Sequence, residues 1–570
     1  MDIRRFLLFI VLSVAIMATW TYFFPPPKKA APNPPATGAP ASPSRPGPTP
    51  SVAIPDSPPG AAPSAIPPAE ASRTALPPWA GQPVQAAAEE RVVLESPASR
   101  AEFTNRGAQL VSLQVKDGQG TAELVRKRGE GLFPYGLVRK QDLKPHPLSQ
   151  ALFQVQRGRD GRSLVFRHRG PAGVAEKHFR FDDQGFLEAV VNVPDSGGQA
   201  WALAVGPGLG NPTAEEAGSS YRRQGAIYKN GDDVEELNAQ KELEVTALPG
   251  RVDWVGLEDT YFLAAIVPRA GLDGVLLQPM MVQGGAQNAR FLPVPPEDEL
   301  TSEQKKLPRE YRIVLEPEGE SLSLLSYWGD KNYDRLAGLP YDLERSVKLG
   351  MFAFLAKPLL VALHWVHDNV VANYGWAIIL LTIVIKILLL PLTHTSMKSM
   401  KRMQELNPRV QAIREKYKTK LRDKQGKPNL EVQRKMNDEV MALYKEAGVN
   451  PVGGCLPILL QMPILFAFFN LLTSAVELRH APWMLWILDL SSKDPYYVLP
   501  IVMGATQWLQ VRMAPQAGDP LQRRMFELMP VIMTVMFIGV PSGLVLYWLT
   551  NNVLTILQQA VYKRLEKRTA

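Results

Sequence analysis

Residues 525–561 read MFELMPVIMTVMFIGVPSGLVLYWLTNNVLTILQQAV, and this stretch decides the fold. Apart from Glu527 near its start, it carries no charge. As one straight helix it would be about 55 Å long, nearly twice the roughly 30 Å hydrocarbon core of a bilayer. It must therefore turn, and Pro541-Ser542-Gly543 near its middle is the turn signal. The reading is two antiparallel membrane helices, 524–540 and 544–562, joined by a tight turn at 541–543.

Working outward, three more apolar spans precede this hairpin. Tyr374 to Leu392 contains Thr382 and Lys386, inside an element placed at 369–394. Cys455 to Thr473 contains Gln461, Pro463 and Asn470, inside 450–474. Tyr496 to Val511 carries Thr506, Gln507 and Gln510 toward its end, inside 495–512. At the start of the chain, Arg4 and Arg5 precede an apolar run from Phe6, closed by Trp20, Tyr22, Phe23 and Phe24. Aromatic residues stand where a signal-peptide cleavage site needs small ones, so 1–24 reads as an uncleaved anchor. The expected fold is thus an α-helical polytopic membrane bundle of six transmembrane helices, five forming the core.

Loop charges orient it. Residues 395–446 carry 14 Lys+Arg against 7 Asp+Glu, whereas 475–495 carry 2 against 3. Arg512, Arg523 and Arg524 flank the next loop (513–523), and Lys563, Arg564, Lys567 and Arg568 make a basic tail at 563–570. Basic loops alternating with non-basic ones put both termini in the cytoplasm and 475–494 outside.

The rest of the chain is of another kind. Residues 25–88 are dense in Pro, Ala, Ser and Gly, too poor in large apolar groups to pack a core, and read as a disordered linker. From 89 to 340 short alternating runs such as Ser163-Leu164-Val165-Phe166-Arg167-His168 and Phe186-Leu187-Glu188-Ala189-Val190-Val191-Asn192-Val193 are separated by turn residues. Period-two runs at this spacing predict a large periplasmic antiparallel β-sandwich domain. Residues 341–368, apolar but broken by Lys348, Lys357, Pro358 and His364, predict an interfacial helix on the outer leaflet. With one cysteine, Cys455, the exported domain has no intrachain disulfide to hold it. Asp195, Asp253, Glu258, Asp259 and His178 show no metal-ligand or triad spacing and are assigned to turns and surface. The chain has no phosphate loop, HExxH or GxSxG, so no catalytic residue, metal or cofactor is expected.

Lys386 has two readings. A lysine in hydrocarbon costs about 3 kcal/mol. Either the side chain snorkels to the cytoplasmic interface, or it faces a water-filled groove. No Asp or Glu lies in the apolar part of any span to pair with it, and Thr382 is one turn away on the same face. The last helix adds Tyr547, Thr550, Asn551, Asn552, Thr555, Gln558 and Gln559 as a wet stripe. In the basic loop 395–449, Met397, Met400, Met403, Leu406 and Val410 form one apolar stripe and Val432, Met436 and Val440 another. They read as a helical hairpin packed on itself, or as a methionine-rich surface for varied apolar segments, with Lys401 and Arg402 on its basic face. That face suits acidic headgroups or ribosomal RNA, without sequence-specific nucleic-acid readout.

Several segments resemble the YidC membrane-protein insertase family, in its Gram-negative form. They are Asn450-Pro451-Val452-Gly453-Gly454-Cys455-Leu456-Pro457, Gln461-Met462-Pro463, Val476-Glu477-Leu478-Arg479, Asp494-Pro495-Tyr496-Tyr497, and Phe537 through Trp548 around Pro541-Ser542-Gly543-Leu544. The resemblance implies an inner-membrane insertase and folding chaperone. It would act alone or with the Sec translocon, beside a translating ribosome, on nascent membrane-protein clients in the lipid bilayer. It implies a hydrophilic groove open to the cytoplasm and closed outside. The groove's usual Arg falls on Lys386, which keeps the charge but loses the planar fork. An aromatic that is often Tyr falls on Trp548 beside Tyr547, and Thr382 matches a client-contact position. Gln510 and Asn551 complete the expected groove contacts. The client's apolar helix is expected to slide along Gln461, Met462, Pro463, Phe466 and Phe537. Competing readings are a secondary transporter, which needs coupling carboxylates or inverted repeats, and an envelope scaffold acting through its outer domain.

Overall fold

The computed structural model describes residues 86–569, except 117–119, 129–130, 171–172, 195–199, 211, 213–215, 217–221, 286–287, 422–428, 450–455 and 515–519. The expected anchor, nearly all of the linker, Asp195 and Cys455 lie outside the described residues.

Alternation becomes sheet across 91–330. The largest sheet has nine strands in the order Asp233–Leu237, Gln224–Asn230, Trp254–Asp259, Phe262–Ala270, Ser321–Asp330, Leu187–Asn192, Gly173–Phe181, Ser163–Gly170 and Gln154–Arg157. A six-stranded sheet centres on Leu272–Gln283, Arg309–Pro317 and Trp201–Val205, and a four-stranded one runs from Arg91–Glu95 to Thr121–Glu123. All the strand pairings are antiparallel. Leu187–Asn192 shows the cause: its residues are buried and half-buried in turn, so one face meets the core. Phe103 packs on Phe179 at 4.5 Å between ring centroids and Tyr135 on Phe179 at 5.2 Å, inside the apolar layer.

One residue departs from the surface assignment, and a second buried charge, Lys177, was not singled out in the sequence. Glu258 is buried, its carboxylate 2.9 Å from the Lys331 amine. Lys177, on the strand after Gly173, is wholly buried, and its Nζ donates to the carbonyls of Gly107 (2.6 Å), Ala108 (3.3 Å) and Tyr135 (2.6 Å). Burial pushes the amine down to about 7.

Helices follow the domain: α1 (Tyr333–Ala337), α2 (Ala353–Asn369), α3 (Tyr374–Leu388), α4 (Leu390–Lys418), α5 (Leu430–Glu446), α6 (Leu456–Ser474), α7 (Val498–Met513), α8 (Pro520–Phe537) and α9 (Ser542–Thr569). Several boundaries differ from the sequence reading. The interfacial helix was expected at 341–368 but α2 begins at Ala353; Gly350 has φ +72°, which breaks helical continuity before it. The element expected at 369–394 ends as α3 at Leu388 and turns by 61° into α4, with Pro391 in α4's first turn. The helical hairpin expected at 395–449 therefore starts at Leu390. Helix α8 begins at Pro520, inside the expected 513–523 loop, and ends at Phe537, so the turn is 538–541. The expected tail at 563–570 continues α9 as helix to Thr569.

Among the described residues no single helix is long and apolar enough to cross a membrane, while α3 and α4 pass that measure together as a bent pair. The expected count of six spans is therefore not established by helix length. Helix α9 lies at the centre of the bundle, against α3, α6 and α7; α8 packs on α7, and α2 on α3 and α6. Two glycines permit close approach. A Cβ on Gly375 would sit 2.2 Å from Trp483 Cδ1, and one on Gly504 would sit 1.9 Å from Thr534 Oγ1 of α8. Helix α2 is two-faced: Leu360, Leu363 and Val366 are buried, whereas Phe354 and Trp365 are 71% and 60% exposed.

Candidate functional site

The bundle is closed at the end nearest the sheet domain. The 475–494 segment folds over the α8–α9 turn: Ser542 N donates to Ser492 O at 2.7 Å and Gly543 N to Leu490 O at 2.9 Å. Asp494, wholly buried, accepts from Trp486 Nε1 (3.0 Å), Tyr496 N (3.0 Å) and Leu499 N (2.7 Å). Asn373 caps α3 through Trp376 N and donates to Pro482 O at 2.9 Å. Three of the motif segments quoted above thus build one lid across the helix ends.

The same lid is tied to the sheet domain. Asn332 Nδ2 donates to Glu477 Oε1 at 2.7 Å, and Arg479 pairs with Glu216 at 2.7 Å. His364 of α2 lies between two carboxylates, 2.7 Å from Asp334 and 3.3 Å from Glu477. Burial opposes its charge, but the carboxylates of Glu477 and then Asp334, which accept from the ring, prevail and raise its pKa to about 9. His367 pairs with Asp368 and stacks on Tyr374, so the two histidines form links between elements rather than a relay.

The opposite end is open. Between α3–α4 and α9 lies a cavity of about 400 Å³. Lys386, in the last turn of α3, lies on its wall with Ile383 and His394, facing Leu554 and Gln558 of α9. The Lys386 Nζ donates to Thr555 Oγ1 at 2.9 Å, and among the described residues no carboxylate reaches it. Farther along, Gln558 Nε2 donates to Thr393 Oγ1 at 2.6 Å. Toward the closed end, Gln461 Nε2 of α6 donates to the Tyr547 hydroxyl at 3.0 Å and reaches Asn551 Oδ1 at 3.5 Å.

The expected wet stripe on α9 is therefore two seams. Tyr547, Asn551, Thr555 and Gln558, spaced four, four and three, face α6 and α3–α4. Asn552, seven residues before Gln559, faces α7, where its amide donates to Met503 O at 3.3 Å. Gln507, Gln510 and Gln559 have buried amide oxygens without a hydrogen-bond partner among the described residues. Gln510 thus stands on α7, apart from the Lys386 cavity. The walls of that cavity are also mostly aliphatic, against the hydrophilic lining expected.

Other expected contacts are redistributed. Thr382 is buried, and its hydroxyl donates to Ile378 O of its own helix at 2.7 Å, so it offers a client nothing as it stands. Tyr547 is buried and stacked on Phe468 at 4.4 Å. Trp548 is half-buried against Phe537 at 5.2 Å. Phe537 is 5% exposed, so it belongs to the core and not to an outer slide. Gln461 likewise joins the polar seam, with Pro463 half-buried beside it. Met462 and Phe466 are exposed, as a slide requires. The sequence places the slide on spans 455–473 and 525–540 but singles out only Phe537 in the second; the exposed ridge there is formed instead by Leu528, Val531, Ile532 and Val535, at spacings of three, one and three. Its signal was present in that periodicity but masked by the uniform apolarity of the span.

In the basic hairpin, α4 and α5 pack together, with Val410 and Met436 buried and Lys416 2.9 Å from Glu439. Met397, Met400 and Met403 are half-buried, Lys401 pairs with Glu405 at 3.6 Å, and Arg402 is exposed. Met397 also lines the Lys386 cavity.

Residues 365–569 match the family model described as 60Kd inner membrane protein, and residues 91–362 the one described as YidC periplasmic domain. The membrane protein insertase YidC of Geobacter metallireducens is 35% identical over 98% of this chain and 97% of its own. That of Geobacter sulfurreducens is 39% identical over 71% of each. A crystal structure of an active YidC insertase with its first transmembrane domain resolved covers 84% of this chain and 94% of its own, at 16% identity and a TM-score of 0.34. With matches over both halves and full-length relatives at this identity, the chain belongs to the YidC family of membrane protein insertases.

Proposed function

We propose that the cavity beside Lys386 receives the polar segment of a nascent membrane protein from the cytoplasm, while the client's apolar helix passes into lipid along α6 and α8. The observation that carries this reading is a cation held by a hydroxyl, with no carboxylate in reach among the described residues, in a cavity at the end of the bundle opposite the 475–494 lid. A half-buried cation held this way keeps hydrogen-bonding capacity for an acidic group that arrives later. Thr555 holds the amine in place, and Gln558 and Asn551 continue the polar seam on either side.

In this reading α3, α6, α7, α8 and α9 are the membrane core and 1–24 the sixth span. Both termini face the cytoplasm and the sheet domain faces the periplasm. The client's apolar helix meets Met462 and Phe466 of α6 and the Leu528–Val535 ridge of α8, all exposed. Burial of that helix in lipid drives the step, and the membrane potential assists acidic segments. No group transfer is required, so the protein acts without catalytic residues or cofactor. The basic hairpin and the helical end of α9 serve as the ribosome-facing surface, and the Sec translocon is a second partner. A transporter reading lacks support: no Asp or Glu lines the Lys386 cavity among the described residues.

The test is photo-crosslinking from positions 386, 382 and 548 to a stalled nascent membrane protein. Position 386 should crosslink to the client's polar segment, and position 382, being buried, should crosslink far less. Crosslinks from 382 that equal those from 386 would overturn the assignment of the groove.

A further inference from the structure

The Lys386 cavity has a shape that the passage of a polar segment does not require. Its two walls, Ile383 to Met397 and Leu554 to Leu565, advance in the same direction, as the pairs Lys386–Thr555, Thr393–Gln558 and His394–Tyr562 show, the first wall bending by 61° where α3 meets α4. Over the eleven residues from Leu554 to Leu565 the slot is about 16 Å long. It runs along the helices, the direction that acyl chains take in a bilayer. Its outer lip is apolar and exposed: Ile387, Leu557 and Val561 are all more than half exposed.

At the end nearest the hairpin a second cavity adjoins it, sharing Met397 and Tyr562. That smaller space, about 80 Å³, is lined by Lys401 of α4, whose amine also lies 3.6 Å from the exposed Glu405 carboxylate, and by Lys563 of α9. No carboxylate lines it among the described residues. His394 stands on the slot wall just before it, its ring 5.5 Å from that of Tyr562. An aliphatic slot thus leads to a basic rim, and the rim is at the cytoplasmic end.

We infer that this composite cavity is a binding site for one anionic phospholipid of the cytoplasmic leaflet. One acyl chain fills the slot between α3–α4 and α9, and the phosphate sits at the rim between Lys401 and Lys563. The aliphatic walls match a hydrocarbon chain, and two lysines from different helices match a phosphodiester with a net negative charge. A zwitterionic lipid offers the same chain but carries a cation that the rim repels. The site rests on the membrane orientation given above, but not on Lys386 as a client contact. A client segment would displace the chain from the slot, so lipid and client would compete.

The experiment is native mass spectrometry of the full chain, released from nanodiscs of equimolar phosphatidylglycerol and phosphatidylcholine. The unaltered protein should retain one phosphatidylglycerol. The pair Lys401→Gln/Lys563→Gln should lower that retention by about 25-fold, since each basic residue near an anionic headgroup supplies roughly a factor of five. Leu557→Trp, which fills the slot from its exposed lip, should expel the lipid with both lysines in place. Equal retention of the two lipids, or undiminished phosphatidylglycerol in the lysine pair, would overturn the headgroup assignment. Undiminished lipid in Leu557→Trp would overturn the slot. The two readings fail separately in the unaltered protein: retained phosphatidylglycerol without a client crosslink from position 386 would overturn the proposed function alone, and that crosslink without retained phosphatidylglycerol would overturn this site alone.

Discussion

Replacing Lys386 by Ala or Glu should selectively block clients with acidic outer segments. The Nζ has one partner, Thr555 Oγ1 at 2.9 Å, and no carboxylate competes for it among the described residues. A client carboxylate about 6 Å away, at an effective dielectric of about 20, gains about 2.8 kcal/mol from the amine, roughly 100-fold in occupancy. Lys386→Ala forfeits that. Lys386→Glu converts it to repulsion, a swing of about 5.5 kcal/mol, which takes insertion below detection. Lys386→Arg keeps the charge and should retain most activity. The assay is protease protection of the translocated tail in proteoliposomes, for two clients that differ only in tail charge. A neutral-tailed client should insert within a few-fold of normal in every variant. Normal insertion of the acidic client by Lys386→Glu would refute the electrostatic reasoning.

Other consequences follow from the lid and the junction. Because the folded His364 pKa is raised to about 9 from the usual 6.5, its contribution is fully present below pH 6.5 and is lost as pH rises through 9. The melting temperature of the full chain should fall between pH 7 and 10 by an amount equivalent to at most about 3 kcal/mol, less for the partly exposed ring, and His364→Ala should flatten that slope. Asp494→Ala removes the acceptor for three donors and should cost about 3 kcal/mol or more of thermal stability, read by the same melt. Gly375→Val should cost about 1–3 kcal/mol because even a Cβ meets Trp483 at 2.2 Å. Photo-crosslinkers at Val531 or Val535 should capture the client's apolar helix, whereas one at Phe537, which is buried, should not.

What could be read in advance depended on whether one periodicity ruled the segment. The strand at Leu187–Asn192 was legible because a sheet face has a period of two and nothing else does. The hairpin around Pro541 was legible because bilayer thickness demands a turn and Pro541-Ser542-Gly543 supplies the residues for it. The α9 stripe was not divisible in advance: residues 551 and 552 are neighbours in sequence, and only the packing of α6 and α7 on opposite sides sends one to each seam. Thr382 shares a face with Lys386 by spacing, yet its short side chain turns back onto Ile378 while the longer lysine reaches across to Thr555. Glu258 reads as a surface residue and Lys177 is not singled out, because a buried charge is recognisable only through its partners, and those lie 73 and between 42 and 70 residues away. Phe537 and Val535 look alike in a uniformly apolar span; which one faces lipid is set by Trp548 on the neighbouring helix.

The most direct measurement is the side from which position 386 can be reached. A Lys386→Cys chain with Cys455→Ser, leaving a single thiol, should react with a membrane-impermeant maleimide added to inverted inner-membrane vesicles and stay unmodified in intact spheroplasts. Modification from the periplasmic side, or from neither side, would contradict a cation held in a chamber that water enters only from within the cell.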